Sequence, residues 1–281
     1  MKNDNAQLSD YVHRWGAKHV PFQDQPNQSL FHTQRTQKAI ELLNQAASLR
    51  SVMLLSGSNG VGKSVLVAEW IKSLPPKAYL PVVITQGTLS PSGLLWTLSA
   101  KLGRSPRHLR CSNLVEIQEA IDGLGRVIPV VVLDEAQNYT ASAIEELRML
   151  LGLNLPAQPS FALILIGDEY LINTLRLQSR RPLYTRIAIA TQLDPLKPDE
   201  VPAYLEHIIK QAGLDRECFE PQAIQMLAAA SEGMARTLNL LAQAAWIEAS
   251  RQGENTIGSQ HVQTALQMVP LARDKVQIPS A

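Results

Sequence analysis

The 281-residue chain is 45% apolar and 18% charged with a formal net charge of +1, a globular composition that excludes disorder over most of its length and excludes a global field drawing it to nucleic acid, so any such binding needs a local patch. Its two cysteines, Cys111 and Cys218, have neither metal-ligand spacing nor the number of a disulfide framework, and are read as reduced thiols. Met1-Lys2-Asn3-Asp4-Asn5 is no apolar signal segment, and no stretch reaches the roughly eighteen apolar residues of a membrane span; a soluble, cytoplasmic protein away from membranes is expected.

In chain order, a preface covers residues 1–50: a helix-like start from Leu8, the segment Val20-Pro21-Phe22, a polar turn, and a helix over Thr33 to Ser48. Val52-Met53-Leu54-Leu55 is a short apolar run suited to a buried parallel strand. It leads into Gly57-Ser58-Asn59-Gly60-Val61-Gly62-Lys63-Ser64, after which Val65 opens a stretch of helical apolar spacing through Ile71. Strand, glycine-rich loop and helix follow in the order of a phosphate-binding P-loop. The glycines let successive N–H groups curl around phosphates, Lys63 can reach the β and γ oxygens, and the Ser64 hydroxyl can ligand Mg²⁺. Gly57 through Val65 are therefore candidate residues for binding ATP.

Leu80-Pro81-Val82-Val83-Ile84 reads as a second strand and Pro91 to Leu102 as a helix. Just beyond, Lys101, Arg104, Arg107, His108 and Arg110 form a basic cluster with no acid among them. Phosphate contacts from it would give salt-dependent, sequence-independent binding of double-stranded DNA; a solvated loop is the other reading. Val130 to Leu133 and Phe161 to Ile166 are continuous apolar runs, as in strands covered on both faces, with a helix from Ala141 to Leu151 between them. The first ends in Asp134-Glu135, at the carboxyl edge where open α/β sheets bind ligands. Asp134 can hold the metal with Ser64, and Glu135 can polarise the water attacking a γ-phosphate. The second leads to Asp168, either a polar sensor near the γ-phosphate or a cap for the helical stretch Glu169 to Leu175. Residues 176 to 186 hold four arginines. Of these, Arg180, Arg181 and Arg186 are candidates to reach a neighbouring subunit's nucleotide.

After Pro195 the strand-like runs stop, and helices are read over Val201 to Ala212, Gln222 to Ala230, Ala235 to Ser250 and Ser259 to Val269. Arg236 opens the third of these, where the helix dipole disfavours a cation and so suggests a compensating anion. The fold class is thus α/β: an ATPase domain at 51–195 with a parallel sheet flanked by helices, then a small all-α domain at 196–269 and a tail at 270–281.

Together, Val20-Pro21-Phe22 with Leu30-Phe31, the P-loop, Asp134-Glu135-Ala136-Gln137-Asn138, and Gly233-Met234-Ala235-Arg236-Thr237-Leu238-Asn239 resemble the AAA+ ATPases. Within them the chain is similar to the group of general secretion pathway protein A, TniB, TnsC and phage Mu B. The resemblance implies that the helical domain is a lid, that Phe22 lies against adenine, that Asp168 is sensor 1, an acid where an amide or hydroxyl is usual, and that Arg236 is sensor 2. It also implies homo-oligomers, rings or helical filaments, in which an arginine of one subunit completes the next subunit's site. Because the chain reaches neither a membrane span nor a cell-wall-binding region, the transposition regulators are favoured. The function expected is an ATP-dependent DNA-binding regulator that recruits or activates a DDE-type transposase, with a target-selection protein as a further partner. An ATP-switched adaptor of a secretion or signalling apparatus is the alternative. A helicase would require extra motifs and length.

Overall fold

The computed structural model describes residues 2–23, 29–152 and 159–270, with side chains from residue 7 onward. The polar turn expected after Phe22, and the tail beyond residue 270, fall largely outside them. In chain order the elements are α1 (Lys2–Trp15), α2 (Gln34–Ser48), β1 (Val52–Ser56), α3 (Lys63–Ser73), β2 (Tyr79–Ile84), α4 (Pro91–Lys101), α5 (Arg110–Gly123) and β3 (Ile128–Leu133). A 3₁₀ turn (Ala136–Asn138), α6 (Ala141–Leu151), β4 (Ala162–Ile166), α7 (Leu171–Arg176), α8 (Arg181–Tyr184) and β5 (Ile187–Gln192) complete the first half. Four helices follow: α9 (Val201–Gln211), α10 (Pro221–Ser231), α11 (Ala235–Gln252) and α12 (Ser259–Met268).

The chain divides into two compact units, one of residues 32–59 and 63–194, the other of 1–31, 60–62 and 195–281. The 1–50 preface is thereby split: residues 1–31 are grouped with the C-terminal helices and 32–50 with the sheet. Among the described residues no helix is long and apolar enough to cross a membrane.

The larger unit is built on a five-stranded parallel sheet of order β2-β3-β4-β1-β5. All of β1 and β4 is buried, and all of β3 except its first residue. That is why these strands are almost wholly apolar, with Ser56 the one polar residue among them: a parallel sheet covered on both faces has no wet side to encode. The α2 helix packs on it; Thr33 caps that helix by accepting the Thr36 N–H at 3.2 Å, and its buried residues Ala39, Leu43, Ala46 and Ala47 recur at helical spacing. Leu94, Leu95 and Leu98 of α4, with Ile144, Leu147 and Leu150 of α6, join the strand side chains in one core.

Among the elements that do not show in the sequence pattern are β5 and α5. In β5 the residues alternate between half-buried and exposed along an outer strand, so Ile187 and Ile189 never make a continuous apolar run. In α5 only Asn113, Ile117 and Ala120 are buried, a stripe too thin to show against its polar neighbours. Cys111 is exposed and Cys218 buried, and neither is bonded to the other.

The helical unit has its own core, in which Trp246 of α11 meets Trp15 and Tyr11 of α1 at ring-centroid distances of 5.7 and 6.4 Å. The Trp15 indole N–H donates to the Ser250 hydroxyl at 2.9 Å. The turn into α11 depends on Gly233, whose φ is +73° and whose position leaves no room for a side chain: a Cβ would lie 1.9 Å from the Leu196 carbonyl oxygen. The Leu196 N–H donates to the Gly233 carbonyl at 2.9 Å, tying the segment that follows Pro195 to the start of the helix. Gly233→Ala combines left-handed strain with a backbone collision, so it should lower stability by more than about 2 kcal/mol. Urea unfolding followed by far-ultraviolet dichroism checks this, and an unchanged midpoint would contradict the packing described.

Candidate functional site

In the sheet order, β3, β4 and β1 are neighbours and parallel, with Leu133 paired to Leu165 and Ile166 to Leu55. Adjacent strands lie about 4.8 Å apart, so the segments leaving their carboxyl ends are brought side by side. Those segments are the P-loop, Asp134-Glu135, and Gly167-Asp168.

Ser64, in the first turn of α3, donates its hydroxyl to Asp134 Oδ2 at 3.3 Å across 70 positions of sequence. Lys63 is only 7% exposed, and its Nζ donates to the carbonyls of Gly57 at 2.6 Å and Ser58 at 3.1 Å. Burial pushes its ammonium below the ordinary lysine value, an effect opposed by Glu135, Asp134, Glu169 and Asp168 in that order. Ser64 and Asp134 offer hard oxygen donors on adjacent elements, and such donors fit Mg²⁺, which is held by one or two protein oxygens together with phosphate. They are the residues that would hold it. Val65 is 38% exposed on α3, one residue past the loop.

Glu135 is exposed and sits in the left-handed region with φ 52° and ψ 44°, which costs a non-glycine residue on the order of 1–2 kcal/mol. Asp134 Oδ1 accepts the Glu135 N–H at 2.9 Å and holds the bend. Beyond it, Gln137 donates Nε2–H to Glu135 Oε2 at 2.6 Å and accepts the Asp168 N–H on Oε1 at 3.4 Å. In the sequence Gln137 is one letter of the acidic box, and nothing local assigns it a task. Asp168 stands just past β4 as expected, and its Oδ1 accepts the Tyr170 N–H at 3.0 Å. The capping alternative therefore describes its carboxylate, while its charge still bears on Lys63.

Tyr139 closes the 3₁₀ turn. Its ring is fully buried, its hydroxyl finds no hydrogen-bond partner, and burial, with Asp134 behind it, pushes its pKa up to about 12. The Tyr139 carbonyl accepts Arg180 Nη2 at 2.8 Å, and Arg186 Nη1 reaches the Arg148 carbonyl at 3.5 Å. The guanidinium of Arg176 lies over the Tyr184 ring, 5.8 Å from its centroid. Arg181, exposed at the start of α8, makes no ion pair among the described residues.

The basic cluster is less free than its sequence suggests. Arg110 forms a two-pronged pair with Glu146, at 2.8 Å to Oε1 and 2.7 Å to Oε2, and Arg107 pairs with Glu116 at 2.9 Å. Lys101 and Arg104 have no such partner among the described residues. The acids come from α5 and α6, which is why no acid within the cluster gave them away.

In the helical unit, Phe22 is only 4% exposed and packs edge-on against Phe219 with ring centroids 5.8 Å apart. The ring implied to lie against adenine is thus enclosed in that unit's core, with little face left for a base. Arg236 is the second residue of α11 and exposed; its N–H donates to the Gly60 carbonyl at 2.9 Å, both residues belonging to the same compact unit. Gly60 has φ +94°, and a Cβ there would lie 2.8 Å from the Arg236 Cβ.

Residues 46–175 match the family described as AAA domain. General secretion pathway protein A of Aeromonas hydrophila is 26% identical over 94% of this chain and 49% of its own length. The ATP-dependent target DNA activator B of Escherichia phage Mu is 26% identical over 71% of this chain and 63% of its own length. The chain therefore spans between about half and two thirds of these relatives. Among solved structures, the ORC2 protein of Aeropyrum pernix superposes with a TM-score of 0.68 at 14% identity, covering 91% of this chain and 74% of that one. The CDC6P structure from Pyrobaculum aerophilum gives 0.69 at 16% identity, with 91% and 73% covered. At such identities the likeness is one of fold.

The Lys63 geometry generates a test. A lysine whose folded pKa lies below its unfolded value holds its proton less tightly when folded, so unfolding takes up a proton between the two values. The stability penalty is full below the folded value and lifts as pH rises through it. Relative to Lys63→Met, the ligand-free wild type should gain stability as pH rises toward the ordinary lysine value of 10.5, measured by thermal unfolding of both proteins. A difference that stays flat, or falls, contradicts the burial of Lys63.

Proposed function

We propose that the chain, whose residues 46–175 match the AAA domain family, is an AAA+ ATPase and an ATP-dependent DNA-binding regulator of DNA transposition. ATP closes the interfaces of a homo-oligomer, ring or filament, that grips double-stranded DNA and recruits or activates a transposase. Hydrolysis then dismantles it. The observation that carries the ATPase part is the meeting of Ser64, Asp134 and Lys63 at adjoining strand ends.

In this reading the N–H groups of Gly57 to Ser64 receive the phosphates, Lys63 exchanges its bonds to Gly57 and Ser58 for the β and γ oxygens, and Glu135 takes a proton from the attacking water. Ser64 and Asp134 would hold Mg²⁺, which would supply positive charge against the phosphates. Arg181 is the preferred residue for reaching a neighbour's nucleotide, since Arg180 and Arg186 already donate to carbonyls of their own chain. Arg236 is the proposed lid arginine. The DNA part is supported by the similarity to the phage Mu target DNA activator over 71% of the chain.

A second reading, an ATP-switched adaptor of a secretion apparatus that touches no DNA, is favoured by the longer match to general secretion pathway protein A, 94% of the chain. Purified protein with ATP and Mg²⁺ should assemble on DNA in electron micrographs, and Glu135→Gln should bind ATP yet turn it over at least about a hundredfold more slowly, leaving the assemblies long-lived. ATP-dependent assembly without DNA, unchanged by adding it, would favour the adaptor.

The ion pairs refine which cations to remove. Replacing Lys101 and Arg104 by Ala should weaken DNA binding evenly across sequences and reduce the log–log salt slope by about 1 for each phosphate no longer neutralised. Replacing Arg107 and Arg110 should do less, because their guanidiniums are already engaged by Glu116 and Glu146. Equal effects from the two pairs, read by titration at several salt concentrations, would argue against Lys101 and Arg104 as the DNA-binding cations.

A further inference from the structure

We propose that Gln137 is a positioning residue for Glu135, holding its carboxylate for proton transfer by bridging it to the end of β4. The inference rests on the reading of Glu135 as the group that takes a proton from water. Glu135 is exposed at a left-handed bend, and among the described residues its carboxylate makes no ion pair that would set its rotamer. What fixes it is the Gln137 amide, 2.6 Å from Oε2, which leaves Oε1 free for water.

The orientation of that amide follows from its partners. A carboxylate only accepts, so Nε2 has to face Glu135; a backbone N–H only donates, so Oε1 has to face Asp168. Half-buried in the 3₁₀ turn, Gln137 is anchored at both ends, and the turn itself is closed by the Asn138 N–H donating to the Glu135 carbonyl at 2.9 Å.

Space for the bridge comes from Gly167. A Cβ there would stand 2.6 Å from Gln137 Oε1 and 2.5 Å from Leu171 Cδ2, although this glycine has no positive φ to explain it. The missing side chain at the end of β4 is therefore the space that admits the amide. Through it the position of β4, and of Asp168 beside Lys63, is coupled to the carboxylate on β3.

Four forms of the full chain test this: wild type, Gln137→Met, Glu135→Gln and the double variant, each assayed for kcat, KM and affinity for a non-hydrolysable ATP analogue with Mg²⁺. Gln137→Met keeps the side-chain length and removes both polar contacts. It should lower kcat roughly tenfold to a hundredfold, hold analogue affinity within about twofold, and cause no further loss when Glu135 is already Gln. Gln137→Asn retains the amide one carbon short and should fail to restore kcat. Wild-type kcat in Gln137→Met, restoration by Asn, affinity falling in step with kcat, or an undiminished second loss in the double variant overturns the proposal. If Glu135→Gln itself keeps wild-type turnover, the role of Glu135 falls first and this inference with it, so the two failures are told apart.

Discussion

The constraint on which the rest depends is the parallel alignment of β3, β4 and β1 at the centre of the sheet. Parallel neighbours end at the same edge, so three segments remote in sequence leave the sheet at adjoining points. The Ser64–Asp134 contact, 70 positions apart, is a consequence of that alignment and of the Leu133–Leu165 and Leu55–Ile166 registers. A slip of one residue in either pairing would displace one of these segments along its neighbour by about 3.3 Å, enough to part Ser64 from Asp134. Strand register and convergence of the site are thus one requirement.

Charge is organised around the same edge. Four carboxylates, on Asp134, Glu135, Asp168 and Glu169, act on the ammonium of Lys63 and offset the effect of its burial. One lysine against four acids is poorly suited to a bare triphosphate. It suits a triphosphate that arrives with a divalent cation, which supplies the missing positive charge next to Ser64 and Asp134.

How far the chain could be read from sequence depended on the range of the signal. The P-loop is contiguous, and each glycine, Lys63 and Ser64 has a local reason for its place. The strands β1, β3 and β4 were legible because burial on both faces writes one unbroken apolar run, whereas β5, lying on the outside of the sheet, alternates and stayed hidden. Contacts decided at long range were not legible. Nothing near Arg110 announces Glu146, 36 positions away, and nothing near Arg180 announces the carbonyl of Tyr139, 41 positions away. The preface shows the same limit, since no local signal at Phe31 announces that Trp15 and Phe22 share a core with helices that begin after Pro195.

The link from Arg180 to Tyr139 carries an argument about the arginine segment. Arg180 donates to the backbone of the turn that follows Glu135, so the segment of residues 176–186 and the carboxylate share one hydrogen-bonded route: Arg180 to Tyr139, the 3₁₀ turn, Gln137, Glu135. The Arg180 guanidinium is tied to that carbonyl through Nη2, while its Nε is buried without a partner among the described residues. It serves as an anchor. Arg181, next in sequence and exposed, carries no such tie, and the anchor at Arg180 fixes the backbone from which it projects. An arginine meant to act on a partner needs that combination, a free head on a fixed stem.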